Sequence, residues 1–224
     1  MTHKSIAIDG PCGAGKSTLA KKLAEALGYL YVDTGAIYRT VGLYVRRTGT
    51  GTRDAAAVAA LLPEIHIELA YGEDGSQRML LGGEDVTGAI REHEISACAS
   101  DVAAVPAVRD FLLEMQRQAA RTHSVVMDGR DIGTTVLPEA DLKIYLTAAP
   151  EVRAKRRYEE LLARGQSADY QKVLADVTAR DEEDMNRAVS PLRKAEDAVE
   201  VDTSGLDFAE SLARLRELAE ARLL

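Results

Sequence analysis

Residues 10–17 read Gly-Pro-Cys-Gly-Ala-Gly-Lys-Ser, a G-x-x-x-x-G-K-[ST] pattern lying between a short apolar run at 5–9 and an amphipathic segment at 17–27. Strand, glycine-rich loop and helix in that order make a phosphate cradle. Backbone N–H groups curl around phosphate oxygens, the helix start adds a favourable dipole, and Lys16 is a charged donor for β- and γ-phosphates. Gly10, Pro11, Cys12, Gly13, Ala14, Gly15, Lys16, Ser17 and Thr18 are therefore assigned to the phosphates of a nucleotide, and Ser17 can ligate Mg²⁺. A glycine-rich turn with an incidental Lys-Ser is the competing explanation, and the flanking strand and helix speak against it. Cys12 reads as a small structural residue, or else as a thiol made reactive by the helix start and Lys16; the inert reading is preferred.

The rest of the chain fits an α/β fold. Strand-like runs at 5–9, 29–33, 124–128, 143–146 and 200–202 alternate with helix-length segments at 17–27, 36–47, 55–62, 92–103, 107–121, 150–164, 169–186 and 208–223. Such alternation predicts a parallel sheet of about five strands flanked by helices on both faces. One stretch departs from the rule: Ile65, Ile67 and Leu69 alternate with polar residues, 72–76 reads as a turn, and 78–81 runs back. This predicts a small antiparallel insert at about 63–91, outside the main sheet.

With 224 residues and 46% hydrophobic composition the chain can form one full core. A formal charge of −8 argues against a nucleic-acid partner, so any anion site must be local. No apolar run approaches the roughly 20 residues needed to span a bilayer. The start of the sequence lacks the apolar core of a secretory signal, and Cys12 and Cys98 are too few for a disulfide framework; a cytoplasmic protein, acting as a monomer, is expected.

The glycine-rich loop alone does not separate GTPases, motors and metabolite kinases. No Asn-Lys-x-Asp or Thr-Lys-x-Asp tetrapeptide is present, which counts against a GTPase. After the second strand comes Asp33-Thr34-Gly35-Ala36-Ile37-Tyr38-Arg39, at the sheet edge where such folds bind ligands. Thr34 can donate to a phosphate oxygen and Arg39 can reach back with a bidentate guanidinium; an ordinary N-capped helix with a solvated Arg is the alternative. The third strand ends Asp128-Gly129-Arg130-Asp131. Asp128 can hold a water of the Mg²⁺ shell, Arg130 neutralise an acceptor phosphate, and Asp131 accept from sugar hydroxyls, against the reading of an Asp-Gly turn with a surface ion pair.

Arg153, Arg156 and Arg157 share one helical face at i, i+3, i+4, with Arg164 following near a mobile segment at 164–169. Convergent positive charge suits the anion clamp that phosphoryl transfer requires, although arginines paired with Glu159 and Glu160 would look alike. Arg180, Asp184 and Arg187 form another stripe, in which Asp184 can orient both guanidiniums, or which is a structural salt-bridge ladder.

Taken together, the Asp9-Gly10-Pro11 opening, Asp33 to Arg39, Gly83-Glu84-Asp85-Val86, Asp128 to Asp131, and Asn186-Arg187-Ala188 before Pro191-Leu192 resemble the bacterial cytidylate kinase family along nearly the whole chain. The resemblance implies a nucleoside-monophosphate kinase fold with a core (about 1–62, 92–149 and 187–224), an acceptor-binding insert (about 63–91) and a helical lid (about 150–186). It further implies transfer from ATP with Mg²⁺ to CMP and dCMP. By position, Thr34, Tyr38 and Arg39 would hold acceptor phosphate and base, and Ser100 and Arg109 would contact cytosine. Arg130 would face phosphate and Asp131 the ribose; Arg180, Asp184 and Arg187 would grip sugar and phosphate, and Arg153 and Arg157 would serve the lid. Lys16, Arg130, Arg153 and Arg157 are then the expected catalytic set. Two departures stand out: Cys12 occupies a position where Ser is frequent, and Ser17 one where some relatives carry Gly.

Overall fold

The structure, a computed structural model, describes residues 3–73, 75–163 and 165–223. Five strands, β1 (Ser5–Asp9), β2 (Leu30–Asp33), and the three later strands Val125–Gly129, Leu142–Thr147 and Val199–Asp202, form one sheet. Between β2 and these lie three short strands, β3 (Ile67–Tyr71), β4 (Gln77–Leu81) and β5 (Glu84–Asp85), in a separate antiparallel sheet, so the later strands of the main sheet are β6, β7 and β8. The main sheet has the order β2-β6-β1-β7-β8, and its paired strands run parallel. The expected strands and the expected insert are thus in place.

Eight α-helices surround these sheets among the described residues: α1 (Lys16–Leu27), α2 (Thr34–Arg47), α3 (Ala55–Leu61), α4 (His93–Ala103), α5 (Pro106–Thr122), α6 (Pro150–Ala163), α7 (Tyr170–Asn186) and α8 (Phe208–Leu223). Buried on both sides, the strands of a parallel sheet read as nearly continuous apolar runs. Ile6 and Ile8 point to one face, where they meet Leu19 and Leu23 of α1 and Leu215 of α8; Ala7 and Met127 point to the other, against Ile37 and Val41 of α2 and Leu112 of α5. A Cβ on Gly42 would stand 3.0 Å from the Cys98 and Ala99 backbone, so the absent side chain is what lets α2 and α4 cross closely.

The insert shares this second core. Ile67, Met79, Leu81, Val86 and Ile90 are buried in the same cluster as Val32 and Ile37. It forms no ladder with the main sheet, yet it covers the outer edge of β2 with two side chains. Tyr71 donates to the Tyr31 carbonyl at 3.2 Å, and the Gln77 amide accepts from Asp33 N–H at 2.7 Å and donates to the Asp33 carbonyl at 3.1 Å. Tyr71 and Gln77 are themselves cross-strand partners, so one pair at the end of the hairpin satisfies an otherwise open strand edge.

Helices α6 and α7 form a hairpin with a small core of its own, Ala154, Val173 and Val177. Arg164 lies outside the described residues. Among the described residues no helix is long and apolar enough to cross a membrane.

Candidate active site

The site segments after β1, β2, β6 and β7 leave the main sheet at the carboxyl ends of these strands, where open parallel sheets carry their ligands, while Ser100, Arg109, Arg180 and Asp184 are brought in by α4, α5 and α7. The loop after β1 turns at once. Gly10 has φ 151°, and a Cβ there would stand 1.9 Å from the Leu146 carbonyl oxygen of β7, so only glycine lets the loop leave between two paired strands. Gly15, at φ 87°, caps α1, and Lys16, the first residue of that helix, is buried. Its ammonium donates to the Pro11 carbonyl at 2.7 Å, across the concave side of the loop. Burial, with the Arg130 charge beside it, pulls Lys16 below its ordinary value. Ser17 and Thr18 are exposed at the mouth of the loop.

Behind the loop stands Asp128, the penultimate residue of β6. It accepts from Ser17 Oγ at 2.9 Å and from Tyr31 Oη at 2.8 Å, and burial pushes its carboxyl upward. Ser17 and Asp128 present hard oxygen donors side by side. That chemistry suits Mg²⁺, which takes one or two protein oxygens and completes its shell with water and substrate phosphate.

Asp9 accepts from the N–H groups of Ile132 and Gly133, both at 2.7 Å, and so fixes the π-helical turn Ile132–Val136 that follows Asp131. Burial raises its pKa to about 6. Thr34 is buried and its hydroxyl donates to the Asp128 carbonyl at 2.8 Å. Asp33 caps α2 by accepting from Ala36 N–H at 2.9 Å, and its other oxygen holds Arg39 at 2.8 Å.

A chain of alternating charges runs away from the loop. Arg130 donates to Asp184 at 2.7 Å; Asp184 lies 3.8 Å from Arg187; Arg187 is 3.4 Å from Asp131; and Asp131 accepts from Arg109, whose guanidinium sits 5.5 Å from the centre of the Tyr38 ring. At two links the partners outweigh burial, so that Asp184 falls below the usual carboxylate range and Arg130 rises above its ordinary value, whereas at Arg187 burial and the neighbouring Arg109 charge win and pull it below its own. Ser100 stands apart from this chain, its hydroxyl 3.4 Å from the Ser96 carbonyl within α4.

One grouping expected from helical spacing is not formed. Arg153, Arg156 and Arg157 point to three different places. Arg153 is buried and donates to both oxygens of Asp181, at 3.0 and 2.6 Å, and to the Cys12 carbonyl at 3.0 Å. Arg156 donates to the Thr203 carbonyl and hydroxyl at 2.8 and 3.1 Å, and Arg157 to Glu160 at 2.8 Å on the surface. Long side chains choose partners beyond their own helix, so a shared face did not make a shared target. The Arg180, Asp184 and Arg187 stripe is formed: Arg187 lies 3.8 Å from Asp184, and the Arg180 and Arg187 charges both help to lower that carboxyl. Helix α7 ends at Asn186, Arg187 is already extended at φ −61° and ψ 142°, and the close partner of Asp184 is Arg130. Among the described residues Arg180 Nε is buried without a hydrogen-bond partner.

Burial alone would raise the Cys12 thiol, but Arg180, Arg130 and Lys16 around it bring it below the ordinary thiol value. Residues that spacing did not single out for their contacts are Asp9, Tyr31 and Asp181, whose partners lie 28 or more residues away, and Asp33, whose carboxylate holds Arg39 only six residues on.

The geometry is that of a phosphate loop facing a string of guanidiniums, and comparison with known proteins gives it a family. The sequence profile described as Cytidylate kinase matches residues 6–221. The chain belongs to the cytidylate kinase family. A cytidylate kinase of Caldicellulosiruptor bescii is 48% identical over 218 residues, covering 97% of this chain and 96% of that protein. One from Symbiobacterium thermophilum is 50% identical over 200 residues, covering 89% and 88%. Among solved structures, an uncharacterized protein from Eubacterium ventriosum superposes with a TM-score of 0.53 at 14% identity over 98% of this chain and 99% of that one, a likeness of fold alone.

Proposed function

We propose that this chain transfers the γ-phosphoryl group of ATP to CMP and dCMP, giving CDP or dCDP and ADP. The observation that carries the reading is the placement of the phosphate loop and the Arg130–Asp184–Arg187–Asp131–Arg109 chain along one edge of the sheet. Membership of a family whose relatives are named cytidylate kinase supports CMP as the acceptor.

In this reading residues 10–18 hold ATP, with Lys16 giving up the Pro11 carbonyl for phosphate oxygens. Ser17, with Asp128 behind it, would hold Mg²⁺, which would supply positive charge to the phosphates. Thr34, Tyr38, Arg39, Ser100, Arg109, Arg130, Asp131, Arg180, Asp184 and Arg187 form the acceptor site. Transfer is in line and needs no protein nucleophile. Nor is a general base required, because the acceptor phosphate is already ionised near neutral pH. Arg130 offsets charge between the two phosphates, and Arg153 steadies the loop through the Cys12 carbonyl. Arg157 serves the same clamp after leaving Glu160, an exposed pair of little worth to the fold.

The division into core (about 1–62, 92–149 and 187–224), insert (about 63–91) and closing lid (about 150–186) belongs to the same proposal. So do a cytoplasmic setting, supported by the free Cys12 and Cys98, and a monomer, supported by the presence of all these residues in one chain. The test is ADP release across CMP, dCMP, UMP, AMP and shikimate. CMP and dCMP are expected to lead, and turnover confined to shikimate overturns the reading.

A further inference from the structure

We propose that Gln77, in the insert, is a positioning residue for the acceptor phosphate, acting through Asp33 and Arg39. The inference rests on the acceptor role given above to Arg39 and adds to it the part of the molecule that sets this arginine in place.

As the outermost strand of the main sheet, β2 leaves one side unpaired. Leu30 N–H bonds to the Ser124 carbonyl on the β6 side, so Tyr31 and Asp33 direct their backbone groups outward. Gln77 grips both groups of Asp33 at once, the oxygen of its amide on the N–H at 2.7 Å and its nitrogen on the carbonyl at 3.1 Å. Only a primary amide of this length supplies an acceptor and a donor side by side, as a neighbouring strand would.

Asp33 is the residue where this matters. Its carboxylate caps α2 at Ala36 N–H and holds Arg39 at 2.8 Å, while Arg39 Nε is buried without a hydrogen-bond partner among the described residues. Gly35 lies between them, and a Cβ there would stand 3.1 Å from both the Arg39 guanidinium and the Asp33 carboxylate. The Asp33 backbone therefore decides where that carboxylate, and with it the guanidinium, can sit. No contact from the main sheet fixes it on its outer side; Gln77 does. Among the described residues Tyr71, the cross-strand partner of Gln77, directs its hydroxyl to the Tyr31 carbonyl and makes no hydrogen bond to Asp33.

The experiment is steady-state kinetics of Gln77→Ala, Gln77→Glu and Gln77→Leu, with thermal melts of each. Wild type is first run on the acceptor panel and the best acceptor is then used throughout. Failure of CMP turnover at that step counts against the proposed activity and leaves the Gln77 test intact. Gln77→Ala is expected to raise the acceptor KM about tenfold, the worth of one or two neutral hydrogen bonds, with the KM for ATP and kcat within about twofold of wild type. Gln77→Glu keeps the shape but loses the donor and puts a carboxylate against the Asp33 carbonyl, so it is expected to be at least as impaired. A packing role would instead rank Glu and Leu above Ala. Gln77→Leu keeps the volume beside Met79 and carries the test if the alanine variant does not fold. In an Arg39→Met background, Gln77→Ala is expected to add less than about a twofold change, since coupled residues are not additive. An unchanged acceptor KM in the folded variants, an equal rise in both KM values, full additivity with Arg39→Met, or an equal effect from Tyr71→Phe overturns the inference.

Discussion

Removing the Asp181 carboxylate tests the hairpin of α6 and α7 most directly. Arg153 has 3% of its side chain exposed and Asp181 12%, and the two meet through bonds of 3.0 and 2.6 Å. Asp181→Ala leaves the guanidinium buried with only the Ala148 and Cys12 carbonyls as partners, at 2.8 and 3.0 Å. Breaking a buried pair from one side costs about 3–5 kcal/mol, and the two remaining carbonyls place this case near the lower end, about 3 kcal/mol. The hairpin's own apolar core is only Ala154, Val173 and Val177 with a few half-buried neighbours, so little else can compensate. For a chain of this size the loss corresponds to a fall in Tm of about 6–12 °C. Urea titrations followed by circular dichroism measure it. The companion variant Arg153→Met/Asp181→Leu removes both charges and is expected to be more stable than Asp181→Ala, because it leaves no buried cation without a counter-charge. A single variant within about 1 kcal/mol of wild type, or a double variant less stable than the single, would refute the argument.

Lys16→Ala is expected to lower kcat by about a thousandfold or more while the melting curve survives, since the ammonium is aimed along the phosphate loop; near-normal turnover would contradict its role. Gly10→Ala forces a Cβ to within 1.9 Å of the Leu146 oxygen and is expected to cost about 3 kcal/mol or more. Gly49→Ala, with φ 75° but open space around the new atom, is expected to cost about 1–2 kcal/mol, and thermal melts of the two should separate them. Asp9 supplies a pH dependence: raised to about 6 in the fold, it keeps its proton between about pH 4 and 6 while the unfolded chain has released it. Stability from this group is full below the unfolded value and is lost as pH rises through about 6. Wild type should therefore lose stability more steeply than Asp9→Asn from pH 4 to 6; parallel profiles would exclude the assignment.

Strands and the phosphate loop were legible because their signals are local. Short runs of three to five residues, each followed by Gly or a polar break, placed the five strands of the main sheet within a residue or two. Alternation at 65–69 was enough to place the insert. The loop was recognisable from eight consecutive residues and their flanks. Contacts across the sheet were not legible: Asp9 serves N–H groups 123 and 124 residues away, and the partner of Arg153 lies 28 residues further along. Helical spacing predicted a face for Arg153, Arg156 and Arg157, but a guanidinium on a flexible stem settles wherever a carbonyl or carboxylate is fixed to receive it. The π-helical turn after Asp131 carries no apolar period of its own; its N–H groups are gathered by Asp9 on another strand.

The same distances explain why the site carries so many charges. A guanidinium buried next to phosphate must be held before substrate arrives, and each of Arg39, Arg109, Arg130, Arg153 and Arg187 is held by a carboxylate. Those carboxylates are not spread evenly. Asp131 serves two arginines and Asp184 serves two, so the chain from Arg130 to Arg109 counts three guanidiniums against two carboxylates. The excess is local, within a protein whose formal charge is −8. In the proposed activity, a dianionic acceptor phosphate entering this chain would replace repulsion between neighbouring arginines with attraction and would not have to break the pairs that position them. An isosteric uncharged acceptor would gain nothing from the excess, so under that proposal discrimination by phosphate charge rests on the count of carboxylates as much as on any one arginine.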